Sequence, residues 1–232
     1  MANPDTIANL ELWYKADAIT GMSDSDRVGT WEDSSVNNRD ATQSTAAEKP
    51  VYKTGRINGK PAVWHPGAAD APDGTNTGLT TSYSVVNPFT VFVVYNRTRA
   101  GFSASRTVQG SGGNNWLIGP YNGNHSYYNG AFITNDSVAI GTFVYATVTQ
   151  AVTGGVFRVN GVQIGTNANT NQPGTFVTGG PEGSFNEAAH GDIAEICVYS
   201  RVLEASEITT VEGYLYNKYF VEPVGRSYGY IF

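Results

Sequence analysis

The stretch GDIAEICVYSRVLEASEITTVEGYLYNKY, residues 191–219, contains two patterns that decide the fold. Its first part, Ile193 to Tyr199, is a run of apolar and β-branched residues, which is typical of a strand covered on both faces. In its second part four apolar residues recur at helical spacing: Ile208, Val211, Leu215 and Tyr219. This spacing predicts a helix with one apolar side. A buried strand followed by one amphipathic helix indicates that the upstream residues form a sheet structure that the helix closes.

Composition limits the classes of protein that fit. The chain has 232 residues, 40% of them hydrophobic, and 27 glycines, which favours one all-β domain with many turns. Its net charge is -6 and it has no basic stripe, so we expect no nucleic-acid partner. No apolar run approaches the roughly 18 residues of a membrane span, so we expect no membrane insertion. The first ten residues lack a cationic start and an apolar segment, so we expect no secretory signal.

Alternating apolar residues predict further strands upstream. The runs are Leu10–Lys15, Val28–Trp31, Lys49–Tyr52, Asn58–Trp64, Phe89–Tyr95 and Phe143–Thr149. Phe89–Tyr95 is the most apolar of them, so we expect it at the centre of a sheet. Asn160-Gly161 is the signal of a two-residue hairpin. We expect this hairpin to pair Val159 with Val162 and Phe157 with Ile164, and to leave Arg158 on a face that meets solvent or a partner.

Several short motifs occur in a fixed order along the chain. They are Leu12–Asp17, Val28–Ser35 with Asp40–Gln43, Asn58–Val63, Val159–Gly161, and Gly191–Glu195 followed by Tyr214–Tyr219. In this order the motifs resemble the concanavalin A-like (laminin G-like) β-sandwich superfamily. More narrowly, they resemble the laminin-G-type module of bacterial surface proteins and phage virion proteins. The resemblance covers residues 8–220, between an N-terminal arm (1–7) and a C-terminal tail (221–232). It implies an all-β jelly-roll sandwich of two antiparallel sheets with one short C-terminal helix.

Catalytic residues of the superfamily are not evident in this chain. Laminarinase-like relatives carry carboxylates in a Glu-x-Asp-x-Glu pattern, which places them on one face of a strand so that two can flank a glycosidic bond. This chain contains no Glu-x-Asp. Asp192 and Glu195 are three residues apart, so on a regular strand they would face opposite sides, and we expect Glu195 to pair with a polar neighbour under the helix. The histidines, His65, His125 and His190, lack the spacing of metal ligands. We therefore expect no enzyme, and a glycan-cleaving enzyme stays the weaker alternative.

A carbohydrate site is predicted within Gly112–Gly130, where Asn, Gly and aromatic residues are densest. Aromatic rings can cover the apolar faces of sugars, and amide side chains can hydrogen-bond neighbouring hydroxyls. The candidate glycan-binding residues are Trp116, Tyr121, Asn122, Asn124, His125, Tyr127 and Tyr128. In the alternative interpretation, Trp116 and Tyr127 are core residues and the Asn-Gly pairs only form turns.

Acidic residues near the N-terminus raise the question of a metal. Asp17, Asp24 and Asp26 could hold Ca²⁺ through oxygen ligands, and the resemblance implies calcium because laminin-G-like relatives often bind it. The alternative, which we favour, is a solvated turn. No other cofactor is expected. The single Cys197 excludes an internal disulfide and is expected to be a small buried hydrophobe.

The C-terminal segment FVEPVGRSYGYIF, residues 220–232, is unusually aromatic for a solvated tail. We expect Tyr228, Tyr230, Ile231 and Phe232 to dock on other virion subunits or on another copy of the chain. The favoured function is a non-catalytic module of a phage particle made in the host cytoplasm. It would be a capsid decoration, head-fibre or tail-adhesin module, with lectin-like binding to a cell-surface glycan. The alternative is a glycan-binding lectin domain at a bacterial surface or in a secreted, extracellular protein.

Overall fold

The computed structural model describes residues 3–67, 76–99, 105–111, 113–137, 139–180, 187 and 189–221. In chain order the strands are β1 (Leu10–Lys15), β2 (Thr30–Trp31), β3 (Ala41–Thr42), β4 (Val51–Ile57), β5 (Lys60–His65), β6 (Gly78–Val85), β7 (Phe89–Tyr95), β8 (Val108–Gly110), β9 (Leu117–Tyr121), β10 (Asn124–Tyr128), β11 (Phe132–Ser137), β12 (Val144–Ala151), β13 (Gly154–Val159), β14 (Val162–Asn167), β15 (Gly174–Gly179) and β16 (Gly191–Tyr199). Helix α1 (Ala205–Tyr219) follows, and short 3-10 helices occupy Pro4–Thr6, Ala16–Ala18 and Ala46–Glu48.

The strands form two antiparallel sheets. The first sheet has the order β14-β13-β12-β7-β16-β5-β4, with β1 also paired to β16. The second has the order β11-β10-β9-β8-β15-β6-β3-β2. This arrangement confirms the predicted concanavalin A-like sandwich with one C-terminal helix. No helix in the described ranges is both long and apolar enough to cross a bilayer.

The inter-sheet core fills the space between the two sheets. Strand β7 contributes Val91, Val93 and Tyr95, and Trp31 and Trp116 come from the opposite side. Every residue of β7 is buried, and the strand lies between β12 and β16, which confirms the prediction that it is central. Burial of this much apolar surface is the main stabilising contribution to the sandwich.

A second cluster, the helix-side core, covers the other face of the first sheet. Val211, Leu215 and Tyr219 of α1 are buried there against Ala194 and Cys197 of β16. Because Ile196 and Val198 of the same strand enter the inter-sheet core, β16 is covered on both faces as its sequence predicts. The helix is capped by a capping box between Glu204 and Glu207, which satisfies free amide groups at its N-terminus.

A bulge in β16 corrects the prediction for its two acidic residues. The pairing of β16 with β7 shifts register between Ile193 and Glu195. The extra residue places Glu195 in contact with helix α1, on the same face as Asp192, which is directly opposite Trp64 of β5. The two carboxylates therefore do not face opposite sides, because the simple alternation of a strand fails where a bulge interrupts it.

The hairpin β13–β14 turns at Asn160-Gly161 and pairs Val159 with Val162, as predicted. A register shift then pairs Phe157 with Gly165 rather than with Ile164. The face that carries Arg158 was expected to meet solvent or a partner. It is instead partly covered by the helix, since Arg158 Nε donates to Glu212 Oε1 at 2.9 Å.

The described N-terminal residues pack against the sandwich. Pro4 is buried, and its carbonyl accepts a hydrogen bond from Tyr199 Oη at 2.9 Å. Ile7 is buried in the helix-side core. This segment therefore supplies apolar surface to the helix-side core, and the boundary predicted after residue 7 stays a prediction.

Candidate functional site

Some side chains of the predicted glycan-binding stretch point into the core and the others point towards solvent. Trp116, His125 and Tyr127 point inward and are buried. Trp116 packs edge-on against Phe89 with ring centres 5.7 Å apart, and His125 Nδ1 lies 2.8 Å from Tyr95 Oη. Because these three side chains are buried, a sugar in solution cannot contact them. Their assignment as glycan contacts is corrected, since alternate residues of β10 face the inter-sheet core.

The remaining predicted aromatic residues lie on the outer face of the second sheet. Tyr121, Tyr128 and Phe132 form what we call the aromatic cluster. The rings of Tyr121 and Phe132 are stacked at 3.9 Å, and the centres of Tyr128 and Phe132 are 4.7 Å apart. Phe132 is 38% exposed, so the cluster presents an aromatic surface to solvent.

The hairpin turn between β9 and β10 places amides beside this cluster. Asn122 and Gly123 have positive φ and form the tight turn, as their sequence predicts. Asn122 is exposed and Asn124 half-buried. Phe132 was not predicted, although the register that pairs it with Tyr128 could have been inferred from the turn residues Asn129-Gly130.

An amide-lined cleft of about 450 Å³ lies near the turn that follows β10. This amide cleft is lined by Gly113, Asn114, Asn115, Thr170, Asn171 and Gln172. It reaches the end of β10, because the backbone amide of Asn171 donates to the carbonyl of Asn129 at 3.1 Å, and Asn129 follows Tyr128. None of the described residues that line the cleft is charged. Its donors and acceptors are therefore neutral amide and hydroxyl groups.

A buried hydrogen-bond network holds the cleft in place. Trp116 Nε1 donates to Tyr127 Oη at 3.2 Å, and Tyr127 Oη donates to Gln150 Oε1. Asn129 Nδ2 donates to the same Gln150 oxygen at 2.8 Å, and Gln150 Nε2 donates to the carbonyl of Asn169 at 3.0 Å. The buried aromatic residues of the predicted site thus act through Gln150 on the loop that forms one wall of the cleft. They position the site without lining it.

The acidic residues considered as calcium ligands have separate partners. Asp17 Oδ1 accepts from Lys218 Nζ at 2.8 Å, and Asp26 Oδ2 accepts from the amide of Ser23 at 2.7 Å. Asp24 accepts from the amide of Thr54, and this hydrogen bond is the main cause that lowers its pKa to about 2. Among the described residues no group of three or more His, Cys, Asp or Glu side chains could hold a metal ion. These hydrogen bonds are those of a polar turn, and calcium binding by these residues stays a hypothesis.

Glu195 lies under the helix with polar partners, as predicted. It is 0% exposed, and its carboxylate accepts from Trp13 Nε1 at 2.6 Å and from Tyr219 Oη at 2.7 Å. Asp192 is 1% exposed and accepts from Arg56 and Asn96. Both carboxylates are held by protein groups, so neither is placed to reach a glycosidic bond.

Another cleft, of about 490 Å³, opens between the edge strands β1 and β2. Its apolar residues are aliphatic and include Ile19 and Met22, and Lys15 and Glu32 stand at its rim. The described residues that line it include no aromatic ring and no amide side chain. The predicted docking residues Tyr228, Tyr230, Ile231 and Phe232 lie outside the described residues.

Comparison with known proteins places this geometry in a family. A sequence model of the concanavalin A-like lectin/glucanases superfamily matches residues 70–209, which is more than half of the chain. No curated protein sequence matches.

Three solved structures with similar folds illustrate the range of proteins in which the fold occurs. The Trypanosoma rangeli sialidase is 16% identical over 89% of this chain, with a TM-score of 0.54. The binding domain of Paraclostridial Mosquitocidal Protein 1 is 13% identical over 93% of this chain, and the match covers 54% of that chain, with a TM-score of 0.62. Domain 4 of AbnA, a GH43 extracellular arabinanase from Geobacillus stearothermophilus, in complex with arabinotriose, is 14% identical over 88% of this chain and covers 98% of that chain, with a TM-score of 0.61.

The present chain spans only 33% of the sialidase chain. At these identities the structural likeness describes the fold alone. The sequence match and the two-sheet sandwich lead to one conclusion: the chain belongs to the concanavalin A-like lectin/glucanases superfamily.

Proposed function

We propose that this protein is a non-catalytic carbohydrate-binding domain that holds a glycan across the aromatic cluster and the amide cleft. The observation that carries the proposal is a stacked aromatic pair, Tyr121 and Phe132, on the sheet whose strand β10 leads into a cleft lined by uncharged amides. Aromatic rings favour the apolar C–H faces of a pyranose or furanose ring. Amide groups both donate and accept, which suits neighbouring hydroxyls.

The fold of the AbnA domain supports this proposal, since that domain carries bound arabinotriose. The state of the two carboxylates of β16 supports a binding role over cleavage. A retaining glycosidase needs two carboxyls about 5–5.5 Å apart on either side of the bond. Glu195 and Asp192 are instead buried and held by protein partners.

The proposal is tested by calorimetry after a glycan screen has identified a ligand. Phe132→Ala and Asn171→Ala should each weaken binding about tenfold, equivalent to about 1.4 kcal/mol, without lowering the melting temperature. Val162→Ala is the matched control, because Val162 is an exposed apolar residue on β14, away from both features. Unchanged affinity in both site variants would refute the assigned surface. Release of new reducing ends from a bound polysaccharide would refute the non-catalytic role.

We further propose that the domain works on a phage particle, as a decoration, head-fibre or tail-adhesin module. The supporting observation is in the sequence: five of the thirteen residues 220–232 are Tyr, Phe or Ile. Such residues are enriched where proteins dock. Replacing Tyr228, Tyr230, Ile231 and Phe232 by serine should leave the melting temperature unchanged and abolish incorporation into particles or homo-oligomers. A full-length chain that stays monomeric and is found only at a bacterial surface or in the medium would favour the lectin alternative.

A further inference from the structure

A second polar site lies on the face of the first sheet that also carries the helix. The side chain of Arg56 on β4 crosses β5 and donates from Nε to Asp192 Oδ1 on β16 at 3.0 Å. The other Asp192 oxygen accepts from Asn96 Nδ2 at 3.0 Å, and the Asp192 amide donates to Asn96 Oδ1 at 2.9 Å. Asp192 and Asn96 thus form two hydrogen bonds with each other, and Asp192 holds the guanidinium of Arg56 at Nε.

The local sequence explains why Arg56 stands above the sheet. The pairing of β4 with β5 shifts register between Lys53 and Ile57. Gly55 lies within this bulge at φ 63, a conformation that L side chains rarely adopt. The bulge bends the strand and directs Arg56 across its neighbour, where a regular strand would have kept the side chain over β4.

The terminal nitrogens of Arg56 face a cleft of about 360 Å³. Within the described part of the chain, the guanidinium of Arg56 makes one hydrogen bond, from Nε to Asp192. The Arg56 side chain is 35% exposed. The cleft is also lined by Gly55, Asn96, Thr98, Ile140, Gly141 and Asp192. A guanidinium that is held at Nε and open at its two terminal nitrogens forms a rigid fork of parallel donors.

We propose that this arginine cleft binds a carboxylate, which accepts two hydrogen bonds from the terminal nitrogens of Arg56. The fork matches the planar geometry of a carboxylate. Asp192, which lines the same cleft, is the fixed counter-charge of the guanidinium, so a ligand with one negative charge is favoured over a doubly charged phosphate. The net local charge of Arg56 and Asp192 is zero, and the nearby Lys53 is paired with Asp24 at 3.3 Å. The geometry of the Arg56 fork, more than net charge attraction, therefore determines which ligands bind in the cleft.

The ligand carries a carbon skeleton beside its carboxylate. Trp64 is half-buried, lies opposite Asp192 in the pairing of β5 with β16, and donates from Nε1 to Thr98 Oγ1 at 3.4 Å. Because paired residues share a face of the sheet, its ring can contact the carbon atoms of a ligand that extends out of the cleft. Both an acidic sugar and a free small carboxylic acid have this chemistry. The site is independent of the proposed glycan surface, which lies on the outer face of the second sheet.

The test is a titration of the full-length, ¹⁵N-labelled chain, with the NMR signals of Arg56 Nε and Trp64 Nε1 as the readout. Acetate and glucuronate should shift both signals to saturation, whereas glucose should not. Glucuronate that binds at least about fivefold more tightly than acetate identifies an acidic sugar, and equal affinities identify a free acid; both results support the carboxylate site. Inorganic phosphate that binds more tightly than acetate would overturn the assignment, as would the absence of any saturable shift.

Two variants distinguish binding by the two terminal nitrogens of Arg56 from binding by general attraction to positive charge. Arg56→Lys keeps the positive charge and loses the fork, so it should weaken carboxylate binding about tenfold. Lys60→Gln changes the net charge on the neighbouring strand and should leave binding unchanged. Equal affinity in Arg56→Lys and the unmodified chain would overturn the proposal. Thermal melting of each variant establishes that the fold is intact before the affinities are compared.

Discussion

The carboxylate of Glu195 and the ammonium of Lys218 meet at 2.7 Å beneath helix α1, where Glu195 is completely buried. The same carboxylate accepts hydrogen bonds from Trp13 Nε1 and Tyr219 Oη. Lys218 continues to the surface, where its ammonium also contacts Asp17 at 2.8 Å. A buried charge is tolerated only where it is paired and hydrogen-bonded, so this pair ties the last turn of the helix to one position on the sheet.

Lys218→Met should therefore destabilise the protein by about 3–5 kcal/mol, because it leaves the Glu195 carboxylate buried without its counter-charge. Urea unfolding measures the change. Lys60→Met is the matched control and should change the free energy of unfolding by less than about 0.5 kcal/mol, as for other surface substitutions. A loss below about 1 kcal/mol for Lys218→Met would show that the buried carboxylate does not depend on this lysine.

Leu215→Asp should cost several kcal/mol, since it places an unpaired carboxylate in the helix-side core. Thr209→Asp introduces the same side chain on the exposed face of the helix and should be nearly neutral. Thermal melting followed by circular dichroism compares the two variants. Equal melting temperatures would contradict the packing of this helix on the first sheet.

Stability should fall in mild acid because of His65. Burial lowers the pKa of this histidine from 6.5 to about 4. Below pH 6.5 His65 therefore binds a proton in the unfolded chain, whereas in the folded chain it binds this proton only near pH 4. The contribution of His65 is intact above pH 6.5 and is lost as the pH falls towards 4, where the loss reaches about 3 kcal/mol.

The matching measurement is urea unfolding at pH 7, 5.5 and 4 for the unmodified chain and for His65→Asn. Asparagine retains a polar atom near the position of Nδ1, which lies 3.5 Å from the carbonyl of Thr77. The variant should lose less stability between pH 7 and pH 4. Parallel pH profiles for the two proteins would show that His65 titrates normally in the folded state.

Gln150→Leu should weaken glycan binding although Gln150 does not line the cleft. The substitution removes the acceptor shared by Tyr127 and Asn129 and the donor to Asn169, at a cost of about 1–3 kcal/mol for unsatisfied buried groups. Hydrogen exchange of residues 168–172 should become faster, which distinguishes loss of positioning from loss of a contact. Unchanged exchange together with unchanged affinity would contradict the role of the network.

The fold class, the central strand, the closing helix and the hairpin turns could be predicted from the amino-acid sequence alone. These features depend on local periodicity, such as the buried run of β7 and the three- and four-residue spacing of Val211 and Leu215 in α1. They also depend on residues with special backbone freedom, such as Asn160 and Gly161. Each of these signals lies within a few neighbouring residues, so the sequence could be interpreted without knowledge of the partners across the sheets.

The residues of the candidate sites could be identified only from the three-dimensional arrangement of the strands and loops. Trp116 and Tyr127 occur in the densest aromatic stretch and are nevertheless core residues, whereas Phe132 beyond that stretch is exposed. The amide cleft joins residues 113–115 to residues 170–172, which are far apart in sequence. Bulges in β4 and β16 reverse the face of Arg56 and Glu195 relative to a regular strand. Strand register and the direction of a side chain depend on long-range pairing, and one extra residue changes both, so no local pattern in the chain could specify them.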